Sequence, residues 1–349
     1  MKHFGPTRSS PGFAWFWGLG IITVLATSCP RDSRVARPLQ LHAWVVYFDA
    51  ARGLAELQQH GSVFDRVSLF AYELDPAGSP QPAPGMDQMI APFLDLAAEK
   101  GFSPWVTVVN DTRHGIDSAI AKDPDLVHEV IADPERRTAH AQELAARVAA
   151  DGFRGLHLDY ERLPETDTRY FQEFVRALRL ELEVRGLELE IVVEPEGGPL
   201  PEVRSTSVTV MAYDLFGPHS GPGPRSTPAY VSQLSIRAAM DADNAATLAL
   251  AVRGFAWKPG GDVGSLDWSV AQQLADRTPQ IRRGTADRVP SARLDDGTEL
   301  WFEDPESLLS KWQAAWGTGF RRLAIWRLGG NDETLFKLLS DVRRGSDGR

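Results

Sequence analysis

The chain has 349 residues, 43% of them apolar, which suffices for one large α/β barrel or two ordinary domains with a sizeable core. Its 37 Lys and Arg against 47 Asp and Glu give a net charge of −10, which argues against nucleic-acid binding through phosphate neutralisation. A single cysteine excludes an intrachain disulfide.

Residues 1–28 have the composition of a secretion signal. Lys2 and Arg8 supply positive charge, an apolar run covers 13–26, and small residues precede Cys29. The pattern predicts a lipoprotein signal with lipidation at Cys29, although Leu25 lies one place further from the cysteine than usual. An ordinary signal peptide or an uncleaved anchor is the alternative. We expect a tether over 29–40 and an extracytoplasmic globular domain over 41–345, held at a bacterial membrane only by the lipid.

From residue 41 onward, strand and helix patterns alternate. The predicted strands are 41–49, 66–74, 102–110, 155–161, 188–195, 207–214, 247–257 and 321–329. The predicted helices are 53–60, 86–100, 134–150, 168–185, 228–241 and 333–343. Eight strands in this rhythm predict an α/β fold, a (β/α)8 TIM barrel. A doubly wound sheet is the competing architecture, and the lack of a Gly-rich phosphate loop disfavours it.

Two irregular stretches are predicted to shape the barrel mouth. The Gly- and Pro-rich segment 217–228 follows the sixth strand and should cover the mouth. Between strands seven and eight, 288–294 and 298–303 flank Asp295-Asp296-Gly297, a hairpin turn signal. We expect this small β-hairpin insertion to form one wall of a cleft.

The stretch 155–161, Gly-Leu-His-Leu-Asp-Tyr-Glu, carries the strongest chemical signal. Side chains alternate along a strand, so His157, Asp159 and Glu161 share one face. Barrel enzymes keep their catalytic groups at the carboxyl ends of the strands. Two carboxylates at such an end indicate general acid catalysis, with a sugar as the favoured substrate.

Three predicted strand ends together resemble glycoside hydrolase family 18. That family has D-G-x-D-x-D-x-E on strand four, M-x-Y-D on strand six and a Trp at the end of strand eight. The matching residues here are Asp159, Glu161, Met211, Tyr213, Asp214 and Trp326. The resemblance covers about 41–340 and points to the bacterial spore-cortex and germination N-acetylglucosaminidases, a branch that Asn110, 254–257 and 297–311 also fit.

The resemblance implies a retaining mechanism in which the 2-acetamido oxygen of the substrate attacks C1. Glu161 would act as general acid and then base, Asp159 would orient the acetamide group, and Tyr213 would hydrogen-bond its carbonyl. Trp326 would form the floor of the subsite, and Asp214 would hold sugar hydroxyls or the Tyr213 loop. The remaining residues predicted to bind substrate are Met211, Asn110, Tyr72, Tyr47 and Trp257. For Asn110, Tyr72 and Tyr47, an ordinary loop or rim role is the alternative.

Two positions depart from the family pattern. Arg154 stands where the first Asp belongs, and we expect it in a structural ion pair near the barrel bottom. His157 replaces the second Asp, which in the family shares a proton with the third. We predict that His157 modulates Asp159, by pairing with it when protonated or by donating a hydrogen bond when neutral. The alternative is a core histidine satisfied by backbone groups.

These observations predict a monomeric enzyme that hydrolyses β-linked N-acetylglucosamine-containing glycans, either peptidoglycan or chitin oligomers. No metal and no cofactor are predicted, because the histidines lack metal-ligand spacing. Two alternatives come from other protein classes. One is a carbohydrate-binding pseudoenzyme on the same fold, which the retained Glu161 disfavours, and the other is a structural envelope lipoprotein.

Overall fold

A computed structural model describes residues 39–113, 119–195, 206–241, 246–277 and 281–347. The predicted signal segment, the lipidation site Cys29 and the tether up to residue 38 lie outside the described residues. In the described part of the chain, no helix is long and apolar enough to cross a membrane.

Strands and helices alternate as the hydrophobic pattern predicts. The strands are β1 (Gln40–Val46), β2 (Arg66–Leu74), β3 (Pro80–Pro82), β4 (Ser103–Arg113), β5 (Ala119–Ile120), β6 (Gly155–Asp159), β7 (Glu188–Val193), β8 (Ser207–Met211), β9 (Ala246–Ala251), β10 (Gly254–Trp257), β11 (Val263–Leu266), β12 (Arg282–Arg283), β13 (Pro290–Arg293), β14 (Glu299–Trp301) and β15 (Arg322–Trp326). The helices are α1 (Ala50–His60), α2 (Asp87–Lys100), α3 (Pro124–Ala132), α4 (Pro134–Ala150), α5 (Thr168–Val184), α6 (Pro228–Asp241), α7 (Trp268–Arg277), α8 (Pro305–Gly317) and α9 (Glu333–Asp347).

Eight parallel strands close into a barrel in the order β1-β2-β4-β6-β7-β8-β9-β15, and β15 pairs with β1. Such strands are covered on both faces, which explains why β9 is buried along its whole length. The helices pack amphipathic faces on the outside; α5 buries Phe174, Leu178 and Leu182 against the barrel. The predicted (β/α)8 barrel is confirmed.

Side-chain caps set the starts of several helices. Asp123 accepts the N–H of Leu126 at the start of α3, and Asp304 accepts the N–H of Ser307 at the start of α8. In each case a proline follows the capping aspartate, where its missing N–H costs no hydrogen bond. The cap of α3 fixes the start of the helix that directly follows Lys122 and Asp123.

The seventh predicted strand, 247–257, is divided in the structure. The barrel strand β9 ends at Ala251, and β10 joins a separate antiparallel sheet. Arg253 lies between them, and its guanidinium binds Asp267 and the Gly329 carbonyl oxygen. The chain then passes so close to β14 that a Cβ at Gly254 would lie 2.2 Å from the Trp301 carbonyl oxygen. These contacts interrupt a segment whose apolar pattern predicts one continuous strand.

The insertion between the last two barrel strands is larger than a hairpin. The predicted hairpin is present as β13 and β14, with Gly297 at a positive φ of 84° in the turn. It belongs to a five-stranded antiparallel sheet in the order β11-β10-β14-β13-β12, to which α7 is appended. A small core of its own, including Leu266, Leu300 and Phe302, stabilises this sheet.

Candidate active site

A pocket of ≈ 320 Å³ opens at the carboxyl ends of the barrel strands. Its lining is formed by Trp44, Tyr47, Phe48, Phe70, Asp111, Lys122, Asp159, Glu161, Val192, Glu194, Pro195, Thr209, Met211, Tyr213, Asp214, Ala249 and Trp326. Seven residues predicted from the sequence meet here: Asp159, Glu161, Tyr213, Trp326, Asp214, Met211 and Tyr47. The barrel geometry brings them together from four strand ends that are distant in sequence.

Asp159 and Glu161 share the pocket with an ammonium group that the sequence reading missed. Lys122 Nζ lies 2.8 Å from Glu161 Oε1 and 3.7 Å from Asp159 Oδ2. Burial raises the pKa of Asp159 to about 7, even though Lys122 acts in the opposite direction. Burial alone would lower the pKa of Lys122, but the two carboxylates outweigh it and hold that pKa above its ordinary value. Lys122 is therefore a cation in this site.

The main chain around Lys122 is tied to the barrel. Its backbone N–H donates to Asp111 Oδ1 at 3.0 Å, and the next residue, Asp123, donates its N–H to the Asn110 carbonyl oxygen at 2.8 Å. Lys122 itself has a positive φ of 56°. Sequence reasoning had no signal for this residue, because it follows the short strand β5 and not a predicted barrel strand.

An aromatic wall faces the carboxylates. The Trp326 ring contacts Trp44 at 5.9 Å, Phe70 at 5.7 Å and Tyr213 at 6.4 Å between ring centroids. Tyr47 stacks on Phe70 at 6.1 Å. Trp326 remains partly exposed, so its indole can accept the apolar face of a ring-shaped ligand.

Tyr213 is set for hydrogen-bond donation. Burial, reinforced by the Asp214 and Asp159 carboxylates, raises the pKa of Tyr213, so the phenol keeps its proton. Asp214 accepts from the Arg225 guanidinium, with Nε at 2.9 Å, and that guanidinium lies 5.2 Å from the centre of the Tyr213 ring. Asp214 thus supports the loop around Tyr213, one of its two predicted roles.

Asn110, predicted to bind substrate, is fully buried and does not line the pocket. Its side-chain amide instead binds the backbone of Glu161. Its position is therefore that of a support beneath the candidate acid, and the expected substrate contact is corrected.

Tyr72 and Trp257 lie outside the pocket, against expectation. In β2 the register slips at Ala71, because Phe70 pairs with Thr107 and Tyr72 with the very next residue of β4. This β-bulge turns Tyr72 outward, where its hydroxyl donates to Asp151, the residue directly after α4. Trp257 belongs to the insertion sheet and donates its indole N–H to the Ser220 carbonyl oxygen at 3.2 Å.

His157 does not contact Asp159 through a hydrogen bond. It is 1% exposed, packs between Trp44 and Trp105, and both ring nitrogens lack a hydrogen-bond partner among the described residues. Burial lowers its pKa to about 4, although Glu190, 4.0 Å away, acts in the opposite direction. His157 is a neutral core residue at neutral pH, so neither predicted coupling to Asp159 is present, nor is the alternative of backbone satisfaction.

Below the pocket, the barrel interior carries a buried ion pair. Arg66 Nη1 lies 2.5 Å from Glu190 Oε2, and its guanidinium stacks on Trp105 at 3.6 Å. Arg154 is exposed at the bottom of β6 and forms no ion pair within the described ranges, contrary to expectation. No group of three or more metal-ligating side chains occurs in the described part of the chain.

No family model matches the chain. The chain is 24% identical over 289 residues to the Bacillus subtilis (strain 168) protein named "Putative sporulation-specific glycosylase YdhD", covering 75% of this chain and 65% of the relative. The chain thus spans less than two thirds of the length of that relative.

Two solved structures show the same fold. The Bacillus megaterium QM B1551 spore cortex-lytic enzyme SleL superposes with a TM-score of 0.75 at 17% identity, covering 88% of this chain and 75% of that one. A class V chitinase variant from Nicotiana tobaccum, in complex with NAG4, gives a TM-score of 0.74 at 14% identity, covering 88% of this chain and 99% of that one.

The fold and pocket define a chitinase-like (β/α)8 barrel with paired carboxylates at the mouth. The match to the YdhD glycosylase agrees with the resemblance to glycoside hydrolase family 18 and its spore-cortex branch, and the two solved structures share the barrel fold.

Proposed function

We propose that this protein hydrolyses β-linked N-acetylglucosamine-containing glycans by a substrate-assisted retaining mechanism, with Glu161 as the general acid and base. The observation that carries the proposal is the meeting of Asp159, Glu161, Tyr213 and Trp326 in one pocket. The similar proteins support it, because they are named as a glycosylase, a spore cortex-lytic enzyme and a chitinase bound to NAG4.

In the first step, the sugar ring of the reacting unit stacks on Trp326. The acetamide carbonyl oxygen attacks C1 while the glycosidic C1–O bond breaks, and Glu161 gives its proton to the leaving oxygen. Tyr213 donates to the acetamide carbonyl, and Asp159 accepts the acetamide N–H. The product of this step is an oxazolinium ion, whose positive charge the ionised Asp159 stabilises.

In the second step, Glu161 is a carboxylate and accepts a proton from water. That water attacks C1 on the face opened by the departed sugar, the ring of the intermediate opens, and the acetamide is restored. The configuration at C1 is retained because both attacks invert it. The 2-acetamido group is part of the catalyst, so plain glucans should be poor substrates.

The test compares the wild type with Glu161→Gln on chromogenic and free N-acetylglucosamine oligomers, with new reducing ends as the readout. General acid–base catalysis contributes about 10²–10⁴-fold, so Glu161→Gln should lose at least about 100-fold in kcat. Glu165→Gln is the matched control, because Glu165 is exposed on the same loop and does not line the pocket. An unchanged rate in Glu161→Gln would exclude this mechanism.

Peptidoglycan and chitin oligomers are the two substrate candidates, and parallel digestions with product identification separate them. Binding of N-acetylglucosamine oligomers without new reducing ends would favour the carbohydrate-binding alternative. Absence of both oligomer binding and new reducing ends would favour a structural role.

We also propose anchoring in the cell envelope through Cys29, which rests on the signal-like composition of 1–28. Metabolic labelling with a radioactive fatty acid should mark the wild type and not Cys29→Ala. Equal labelling of both proteins would refute lipidation at this cysteine.

A further inference from the structure

We propose that Lys122 is a positioning residue of this site: its ammonium compensates one ionised carboxylate of the Asp159–Glu161 pair and so directs the pair's single proton to the other. The role rests on the proposed function. It also adds a residue that the motif resemblance does not contain.

The first support is the placement of the ammonium between the two carboxylates. Its distances of 2.8 Å to Glu161 and 3.7 Å to Asp159 lie within the range in which an opposite charge favours ionisation. The Lys122 side chain is only 15% exposed, so solvent screens these interactions weakly. Among the described residues that line the pocket, Lys122 is the one cationic side chain.

The second support is what lies beneath Asp159. The resemblance places there an aspartate that shares a proton with Asp159, whereas this chain has His157. His157 is buried between two indole rings and is neutral at neutral pH. Because His157 makes no hydrogen bond to Asp159 and is uncharged, it supplies neither a shared proton nor a positive charge. The compensating positive charge is instead that of Lys122, on the loop that follows β5.

The net charge of Lys122, Asp159 and Glu161 depends on how many protons the two carboxylates hold. With both carboxylates ionised, the three groups carry a net charge of −1, and with one proton bound they are neutral. The proposed first step needs the proton on Glu161 and the charge on Asp159. In the structure Lys122 is closer to Glu161, at 2.8 Å, which favours the charge on Glu161 and the proton on Asp159. The first step therefore requires the ammonium to move from Glu161 toward Asp159, which lies 3.7 Å away.

Other titratable groups that surround Lys122 do not replace its charge. At the neighbouring strand ends these are Asp111 in the last part of β4, Glu194 after β7, Tyr213 and Asp214 after β8, and Tyr47 after β1. Arg113, whose positive charge acts to lower the pKa of Tyr47, is paired with Glu73 at 2.6 Å. Loss of the Lys122 charge would therefore leave an acidic pocket in which carboxylates hold protons more tightly.

The test uses Lys122→Met and Lys122→Gln as neutral variants and Lys122→Arg as the charged one. The loop should survive these changes, because the backbone N–H of Lys122 and not its side chain binds Asp111. We expect both limbs of the pH profile of kcat/KM to move to higher pH by about one unit or more in the neutral variants. Lys122→Arg should stay close to the wild type. Lys258→Met, which removes an exposed lysine of the insertion, is the control for net charge.

A second readout does not depend on activity. Carbon-13 NMR follows the carboxyl titrations of Asp159 and Glu161, assigned with Asp159→Asn and Glu161→Gln. The titration midpoints should rise in Lys122→Met and Lys122→Gln. Unchanged midpoints would overturn the role of Lys122 whatever the activity. If the wild type cleaves no N-acetylglucosamine oligomer, the proposed function fails, while the titration still decides the coupling.

Discussion

Asn110 holds the backbone of Glu161 through both ends of one side-chain amide. Its Nδ2 donates to the Glu161 carbonyl oxygen at 3.0 Å, and its Oδ1 accepts the Glu161 N–H at 3.0 Å. The last paired residues of β4 and β6 are Val109 and Asp159, and Glu161 lies two residues further along the chain. The Asn110 amide therefore extends the pairing of the two strands past the end of β6. The candidate acid is thereby fixed at the barrel mouth by a buried side chain of the neighbouring strand.

Asn110→Ala should impair catalysis more than binding, because it frees the main chain of Glu161 without touching the pocket lining. Misplacing a catalytic group by about 1 Å can cost about 100-fold, so we expect kcat to fall by about 10- to 100-fold with little change in KM. Unfolding should become about 1–3 kcal/mol easier, since buried backbone groups lose their partners. Steady-state kinetics and urea unfolding measure the two effects.

Thr112→Val is the matched control for Asn110→Ala. Thr112 is a buried polar residue of the same strand, and its hydroxyl has no hydrogen-bond partner within the described residues. Its loss should leave kcat unchanged. An Asn110→Ala variant with wild-type kcat would show that the clamp does not serve catalysis.

The aromatic wall predicts a binding defect for Trp326→Ala. Losing the apolar contact area of a large side chain costs about 1.5–3 kcal/mol, so kcat/KM for N-acetylglucosamine oligomers should fall by about 10- to 100-fold. Trp316→Ala is the control, because Trp316 is a partly exposed tryptophan of α8 that does not line the pocket. Equal losses in the two variants would argue against a substrate contact at Trp326.

The buried His157 predicts a loss of stability in acid. Burial lowers its folded-state pKa from 6.5 to about 4, so the unfolded chain binds more protons between these values. The contribution of His157 is complete above pH 6.5 and is lost as the pH falls toward 4. One pKa unit corresponds to about 1.4 kcal/mol, which gives a fall of roughly 2–3 kcal/mol over this range.

His157→Leu should flatten that part of the pH dependence when urea unfolding is measured at several pH values between 4 and 7.5. His42 and His140 are buried histidines whose pKa values are also lowered, and they add to the slope in both proteins. Only the difference between the two curves reports on His157. Parallel curves would mean that the His157 imidazole is protonated as readily in the folded protein as in the unfolded chain.

Strand-end reasoning predicted the location of the candidate site residues well where side-chain alternation is regular. The sequence 155–161 alternates without interruption, so Asp159 and Glu161 were expected in the mouth and lie there. The motif on β8 likewise placed Tyr213 and Asp214 at the pocket. These positions follow from local periodicity and from the closure of a parallel barrel, both of which a sequence carries.

What the sequence could not show depends on tertiary contacts. Lys122 enters the pocket because Asp111 and the cap of α3 hold its loop, and no local pattern marks that contact. Tyr72 fails to reach the pocket because one additional residue, Ala71, reverses the alternation of β2. A β-bulge of this kind leaves the apolar pattern intact while turning the following side chains to the other face.

Tyr72→Phe tests this reversal directly. The Tyr72 hydroxyl donates to Asp151, whose carboxylate also pairs with Arg147 at 2.7 Å and so keeps one partner in the variant. We therefore expect a modest loss of unfolding free energy, about 0.5–1.5 kcal/mol, and unchanged kcat and KM. If Tyr72 lay in the barrel mouth, Tyr72→Phe would give the opposite result, unchanged stability with weakened substrate binding. Tyr47→Phe, which removes a hydroxyl from the pocket lining, provides that comparison in the same assays.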